Sequence, residues 1–204
     1  MPADRRFFIW RGLDEWYAEA ASVELTADGL VATGTQIGSD PLPYRVDYRL
    51  DASEGFVTRS LEVTANGLGW SRRLELRHDG RGTWTCEARA HGDASLPAQR
   101  SDSSPLSGAL DCDLGRSPLT NVMPIRRAGL HRRPGADDFL MAWVSVPDLS
   151  VVPSAQRYEH VRRGDDGSAV VRYVDRGSFA GFTADLELDP DGFVVVYPTL
   201  AERV

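Results

Sequence analysis

Lysine is absent from this sequence: all 23 basic residues are arginine. G+C-rich coding accounts for such a bias, and its chemical consequence is that no Lys Schiff base or Lys general base is available. Cysteine is nearly absent too. Cys86 and Cys112 are too few for a disulfide framework. Long apolar runs are missing: the N-terminal run Phe7 to Trp10 falls short of the roughly 7–15 residues of a secretory core. No stretch approaches the roughly 20 apolar residues of a membrane-spanning helix. These absences set the expectation of a cytoplasmic chain with free thiols and no integral membrane segment.

Familiar catalytic signatures are also missing. The chain has no GxSxG elbow, no HExxH, no GxxxxGK[ST] phosphate loop and no CxxC pair. His78, His91, His131 and His160 are scattered without metal-ligand spacing, so neither a metal nor a cofactor is expected. The formal net charge is -7, and the arginine pairs lie near acids. A surface of that sign repels phosphate backbones, which excludes nucleic acid as the expected partner.

What is present is a composition of 42% hydrophobic and 26% charged residues over 204 positions, which suits one globular domain spanning 1–204. Strict alternation marks strands. Leu42, Tyr44, Val46, Tyr48 and Leu50 share one face; Trp84, Cys86, Ala88 and Ala90 share another; Phe182, Ala184, Leu186 and Leu188 a third. Asp28-Gly29, Asn66-Gly67, Asp79-Gly80, Asp166-Gly167 and Asp191-Gly192 punctuate the runs as tight hairpin turns do. The reading is mainly β: a single curved antiparallel sheet, a half-barrel or open barrel of about ten or eleven strands, with one or two short helices. Leu13 to Ala21 carries Leu13, Trp16, Tyr17 and Ala20 at helical spacing, and Ser117-Pro118 opens a second helix as N-cap and first turn. Long loops are expected over His91 to Ser107 and Ala128 to Asp138.

Two patterns carry possible chemistry. Asp111 and Asp113 share one strand face, with Leu110, Cys112 and Leu114 on the other. That pattern leaves open a solvated outer face, an anchor for Arg126 and Arg127, an acid–base pair or, last, a cation site. Alternation places both carboxylates away from the core. The second pattern is an arginine inside an apolar stripe: Arg59 among Val57, Leu61 and Val63, and Arg72 among Trp70, Leu74 and Leu76. A buried guanidinium requires a carboxylate, water or a polar group of a ligand, unless it reaches past the sheet edge.

The stretch Asp111-Cys112-Asp113-Leu114-Gly115-Arg116-Ser117-Pro118-Leu119-Thr120-Asn121, continuing through Pro124-Ile125-Arg126-Arg127, resembles the signature of the bacterial "putative glycolipid-binding" family. Ala142-Trp143-Val144, Pro147-Asp148-Leu149, Gln156-Arg157-Tyr158, Asp191-Gly192-Phe193-Val194 and Tyr197-Pro198 extend the resemblance, and Tyr44 to Tyr48 carries it into the N-terminal half. The resemblance implies a curved half-barrel like that of lipoprotein carriers, with an apolar concave face. It singles out Thr120, Asn121, Arg126 and Arg127 as ligand-binding or loop-fixing positions.

The leading expectation is therefore non-catalytic binding of a small amphiphilic, lipid-like molecule in the hollow, with Arg59, Arg72 or Arg126 on an anionic or sugar head. The rival is an enzyme of cyclase or isomerase type using Asp111, Asp113 or Tyr197 as acid or base. A carboxylate held above its ordinary pKa and facing the cavity would distinguish that rival. A protein-binding module would instead show a filled core and a large exposed apolar patch. Oligomeric state stays open, because exposed edge strands permit a dimer.

Overall fold

The computed structural model describes residues 4–92, 95–177 and 180–204. Within them lie fourteen strands: β1 (Asp4–Gly12), β2 (Tyr17–Leu25), β3 (Leu30–Gly38), β4 (Tyr44–Ala52), β5 (Ser60–Gly67), β6 (Trp70–His78), β7 (Trp84–Gly92), β8 (Asp111–Leu114), β9 (Ala136–Val144), β10 (Val151–Arg163), β11 (Ala169–Asp175), β12 (Thr183–Leu188), β13 (Val194–Tyr197) and β14 (Ala201–Arg203). All belong to one sheet, ordered β7-β6-β5-β4-β3-β2-β1-β14-β13-β12-β11-β10-β9-β8. Two meanders thus join where β1 meets β14, at Trp10 opposite Arg203.

The sequence periodicity explains most of these strands. Tyr44, Val46, Tyr48 and Leu50 are buried while Arg45 and Arg49 face out. Ala184, Leu186 and Leu188 repeat the pattern in β12. Each of the five Asn-Gly or Asp-Gly pairs sits at a hairpin connection or its rim, and Gly80, Gly167 and Gly192 there have the positive φ such turns need.

Several expectations are corrected. The described residues form fourteen strands rather than ten or eleven, because β8, β13 and β14 are only three or four residues long. Such short strands carry too little alternation to read. The sheet is not wholly antiparallel, since β8 runs parallel to β9. Leu13 to Ala21 is not a helix: residues 13–15 turn and Tyr17 opens β2. The second helix is present as a 3-10 turn (Pro118–Asn121) followed by α1 (Val122–Ala128), closed by Gly129 at φ 71. The expected loop 91–107 begins later, since His91 and Gly92 close β7, and its residues 93–94 lie outside the described set.

The hollow of the sheet is largely filled by the chain itself. Leu106, Leu119, Val122 and Met123, from the segment linking β7 to β9, are fully buried in one cluster with Leu50, Leu61 and Leu74 of β4 to β6. Backbone bonds tie that segment across the opening: Thr58 N–H donates to the Leu110 carbonyl at 3.1 Å, and Gly108 N–H to that of Gly82 at 2.9 Å. Open space remains on the other side, among β8 to β13. On the outer surface, Phe7 and Ile9 of β1, Trp16 and Ile37 are exposed. No helix among the described residues is long and apolar enough to cross a membrane.

Candidate functional site

The open space is a cavity of about 570 Å³. Trp143 of β9, Val146, Phe182 and Leu200 supply apolar walls, and Tyr173 of β11 and Tyr197 of β13 add phenol rings. The rings of Tyr173, Phe182 and Tyr197 form a continuous wall with centroids 6.0 to 6.4 Å apart. A second hollow of about 470 Å³ adjoins it and shares Arg116, Phe182, Tyr197 and Leu200, so the two form one path to the surface near Asp14 and Glu15.

Polar groups gather on one wall. Asp113 lines the cavity and is held by two neutral donors, the Thr120 hydroxyl at 3.0 Å and Gln156 Nε2 at 2.7 Å. The fully buried Tyr158 hydroxyl donates to Asn121 Oδ1 at 2.9 Å and lies 3.1 Å from Gln156 Oε1, which closes the network. Gln156 stands opposite Asp175 in the β10–β11 ladder. Asp175 also lines the cavity and accepts from the Tyr173 hydroxyl at 3.2 Å and Gly177 N–H at 2.8 Å.

This environment perturbs Asp113 and two of the phenols. Burial pushes the Asp113 carboxyl above the usual carboxylate range, opposed by the Gln156 and Thr120 hydrogen bonds and assisted by Asp111 and Asp175. Tyr173 and Tyr197 are raised by burial and by those same cavity carboxylates. Behind the cavity wall, Ser117 Oγ donates at 2.6 Å to Glu19 Oε1, which also accepts from Tyr48 at 2.6 Å. Glu19 is fully buried on β2, its Oε2 has no partner among the described residues, and burial lifts its carboxyl to about 7 against the Ser117, Tyr48 and Gln36 hydrogen bonds.

At the rim, Arg116 adopts φ 62, a left-handed backbone that disfavours a residue with a Cβ. Its guanidinium is fixed by Tyr44 at 3.2 Å, Asp40 at 3.2 Å and Glu15 at 2.6 Å.

The solvated outer face expected for Asp111 and Asp113 is overturned. Strand β8 is an edge strand of the sheet, yet both of its faces are inside: Asp111, Cys112 and Leu114 are buried and Asp113 is half-buried. Asp111 is fully buried and gripped by Arg127, whereas Asp113 meets the cavity. Thr120 and Asn121 belong to the cavity's polar wall, and Tyr197 to its lining. The arginines lie elsewhere. Arg59 precedes β5 and pairs at the surface with Glu54. Arg72 is buried on β6, where its Nη1 donates to the Ser71 carbonyl at 3.2 Å. Arg126 donates to the Asp191 carbonyl at 2.5 Å and stacks 4.8 Å from the Phe56 ring. None of Arg59, Arg72, Arg126 and Arg127 lines the cavity.

The family model described as "Putative glycolipid-binding" matches residues 7–203. The chain belongs to this family. Similar solved structures include a DUF1089 family protein from Pseudomonas aeruginosa, 29% identical, with a TM-score of 0.70 over 96% of this chain and 95% of that one. A β-barrel-like protein of a domain of unknown function, DUF1849, from Brucella abortus covers 100% of this chain and 96% of its own at 8% identity and a TM-score of 0.49. Among curated proteins none matches.

The stretch from Asp111 to Arg127 that carries the resemblance helps plug the hollow and presents Asp113, Arg116, Ser117 and Asn121 to the cavity. Glu19 and Asp175 were not singled out from the sequence. Both continue apolar stripes, Glu19 between Tyr17 and Ala21 and Asp175 after Val171 and Tyr173. That is the same signal that drew attention to Arg59 and Arg72.

Proposed function

We propose that the protein binds a small amphiphile, with a polar head against Asp113, Asn121 and Ser117 and an apolar portion along Trp143, Phe182 and Leu200. The observation that carries this reading is the amphipathic lining of the 570 Å³ cavity. Its volume falls within the roughly 300–1,000 Å³ of small-molecule sites, which are mostly apolar with a few placed polar groups. Burial of ligand hydrocarbon supplies affinity at about 25 cal/mol per Å². The space takes a head group and the first part of a chain, and the adjoining hollow lets the remainder run out past Arg116.

The head-group role expected of Arg59, Arg72 and Arg126 passes to the acidic wall. Isothermal titration with octyl glucoside below its micelle concentration tests the reading. One bound molecule per chain is expected, with binding lost in Leu200→Trp, which fills the passage between the two hollows. Binding unaffected by that variant would place the amphiphile elsewhere.

A second reading is favoured by one observation: a carboxyl raised by burial, Asp113, meets the cavity beside the phenols of Tyr173 and Tyr197. Such a group is suited to protonate or deprotonate a bound substrate, as an isomerase or cyclase requires. Comparison of the molecules extracted from wild type and Asp113→Asn separates the two. Chemically identical ligands support a binder; a different compound accumulating in the variant supports an enzyme.

A further inference from the structure

The acidic side of the cavity narrows the chemistry of the head group. Asp113 and Asp175 approach it from β8 and β11, with Gln156 between them: it donates to Asp113 and stands opposite Asp175 in the ladder. The partners of Asp113 are a hydroxyl and an amide, both uncharged. The described residues lining the cavity include one cation, Arg116, and Asp40 and Glu15 hold it at the rim.

We propose that the head group carries a protonated amine, as an amino sugar does, and that the ammonium docks between Asp113 and Asp175. This rests on the amphiphile reading and specifies it further. Two carboxylates in one confined space repel each other, and Asp113 loses hydration that its Thr120 and Gln156 hydrogen bonds only partly replace. An ammonium turns both unfavourable terms into attractions and supplies up to three charge-assisted donors to carboxylate oxygens. A neutral polyol satisfies the acceptors without cancelling charge. An anionic head adds a third negative group.

The wall of Tyr173, Phe182 and Tyr197 acts in the same direction. A cation within about 6 Å of an aromatic face is drawn to its electron-rich centre, more strongly where water is excluded. Burial of Asp113 fits this as well: burial disfavours its ionised form, and a cation beside it favours that form.

Three amphiphiles with one eight-carbon chain test this at pH 7 by isothermal titration: the octyl glycoside of glucosamine, octyl glucoside and octyl phosphate. The amino glycoside is expected to bind at least about tenfold more tightly than the glucoside, with the phosphate weakest. Asp113→Asn is expected to abolish the amino glycoside's advantage, weakening it about tenfold more than it weakens the glucoside. Asp175→Asn serves the same purpose if Asp113→Asn fails to fold. Equal binding of all three heads, or a preference for the phosphate, overturns the ammonium assignment and leaves the amphiphile reading standing. No binding of any head overturns both.

Discussion

Arg127 grips Asp111 with two hydrogen bonds of 2.5 Å each, on a carboxylate that has no exposure. The pair ties α1 to β8 and so fixes Asn121 and Asp113 relative to each other, although neither Arg127 nor Asp111 lines the cavity. Arg127 also donates to the Phe56 carbonyl at 3.0 Å and stacks on Phe139.

Removing only the cation leaves a buried charge, a loss of about 3–5 kcal/mol. Arg127→Met is therefore expected to lower stability by that amount in urea unfolding. The double variant Asp111→Leu with Arg127→Met is expected to recover most of it, because no unpaired charge remains. A single variant as stable as wild type would show that the pair is not what holds β8.

Glu19 gives stability a pH dependence of predictable sign. Its carboxyl is raised from 4.5 to about 7 in the folded protein, so the folded state holds the proton more tightly than the unfolded chain. The contribution is fully present below about pH 4.5 and is lost as pH rises to about 7, amounting to about 3 kcal/mol at 1.36 kcal/mol per unit. Glu19→Gln cannot titrate. Relative to the variant, wild type is expected to lose stability between pH 5 and 7 in thermal melts; parallel profiles would show that Glu19 is already ionised when folded.

Arg59 and Arg72 lie outside the cavity. Arg59→Met is expected to leave ligand affinity unchanged and stability within about 0.5 kcal/mol, since its pair with Glu54 is exposed to solvent. Arg72→Met is likewise expected to leave affinity unchanged. A weaker ligand in either variant, measured by titration, would point to binding on the β5–β6 side instead.

Tyr158→Phe removes the hydroxyl that sits between Asn121 and Gln156 and takes from the buried Asn121 Oδ1 the donor it has there. The expected loss is about 1–3 kcal/mol of stability, measured by urea unfolding, with weaker ligand binding because Gln156 and Asn121 lose their shared constraint.

The long strands and their hairpins were legible because one face of each is apolar and the other charged, as in β4 and β12. Strand β2 was hidden by Glu19: a carboxylate on the inward face broke the period-two stripe of Tyr17, Ala21, Val23 and Leu25 and left the helical spacing of Leu13, Trp16, Tyr17 and Ala20 to dominate. The orientation of Asp113 was misread for a related reason. Alternation distinguishes inside from outside only when one side of a strand meets water, and β8 has protein on both. In the stretch 111–127 that carries the resemblance, the arginines brace the chain, while Asp113, Ser117 and Asn121 line the cavity. Asp175 stands 62 positions beyond Asp113, and only the ladder of β10 on β11 brings it beside Gln156.

Mass spectrometry of the organic extract from gently purified protein tests the central claim most directly, run beside Leu200→Trp prepared identically. One amphiphile in stoichiometric amount from wild type, and its absence from the variant, is the predicted result. An empty wild-type protein, or the same molecule retained by the filled variant, would contradict the cavity as the binding site.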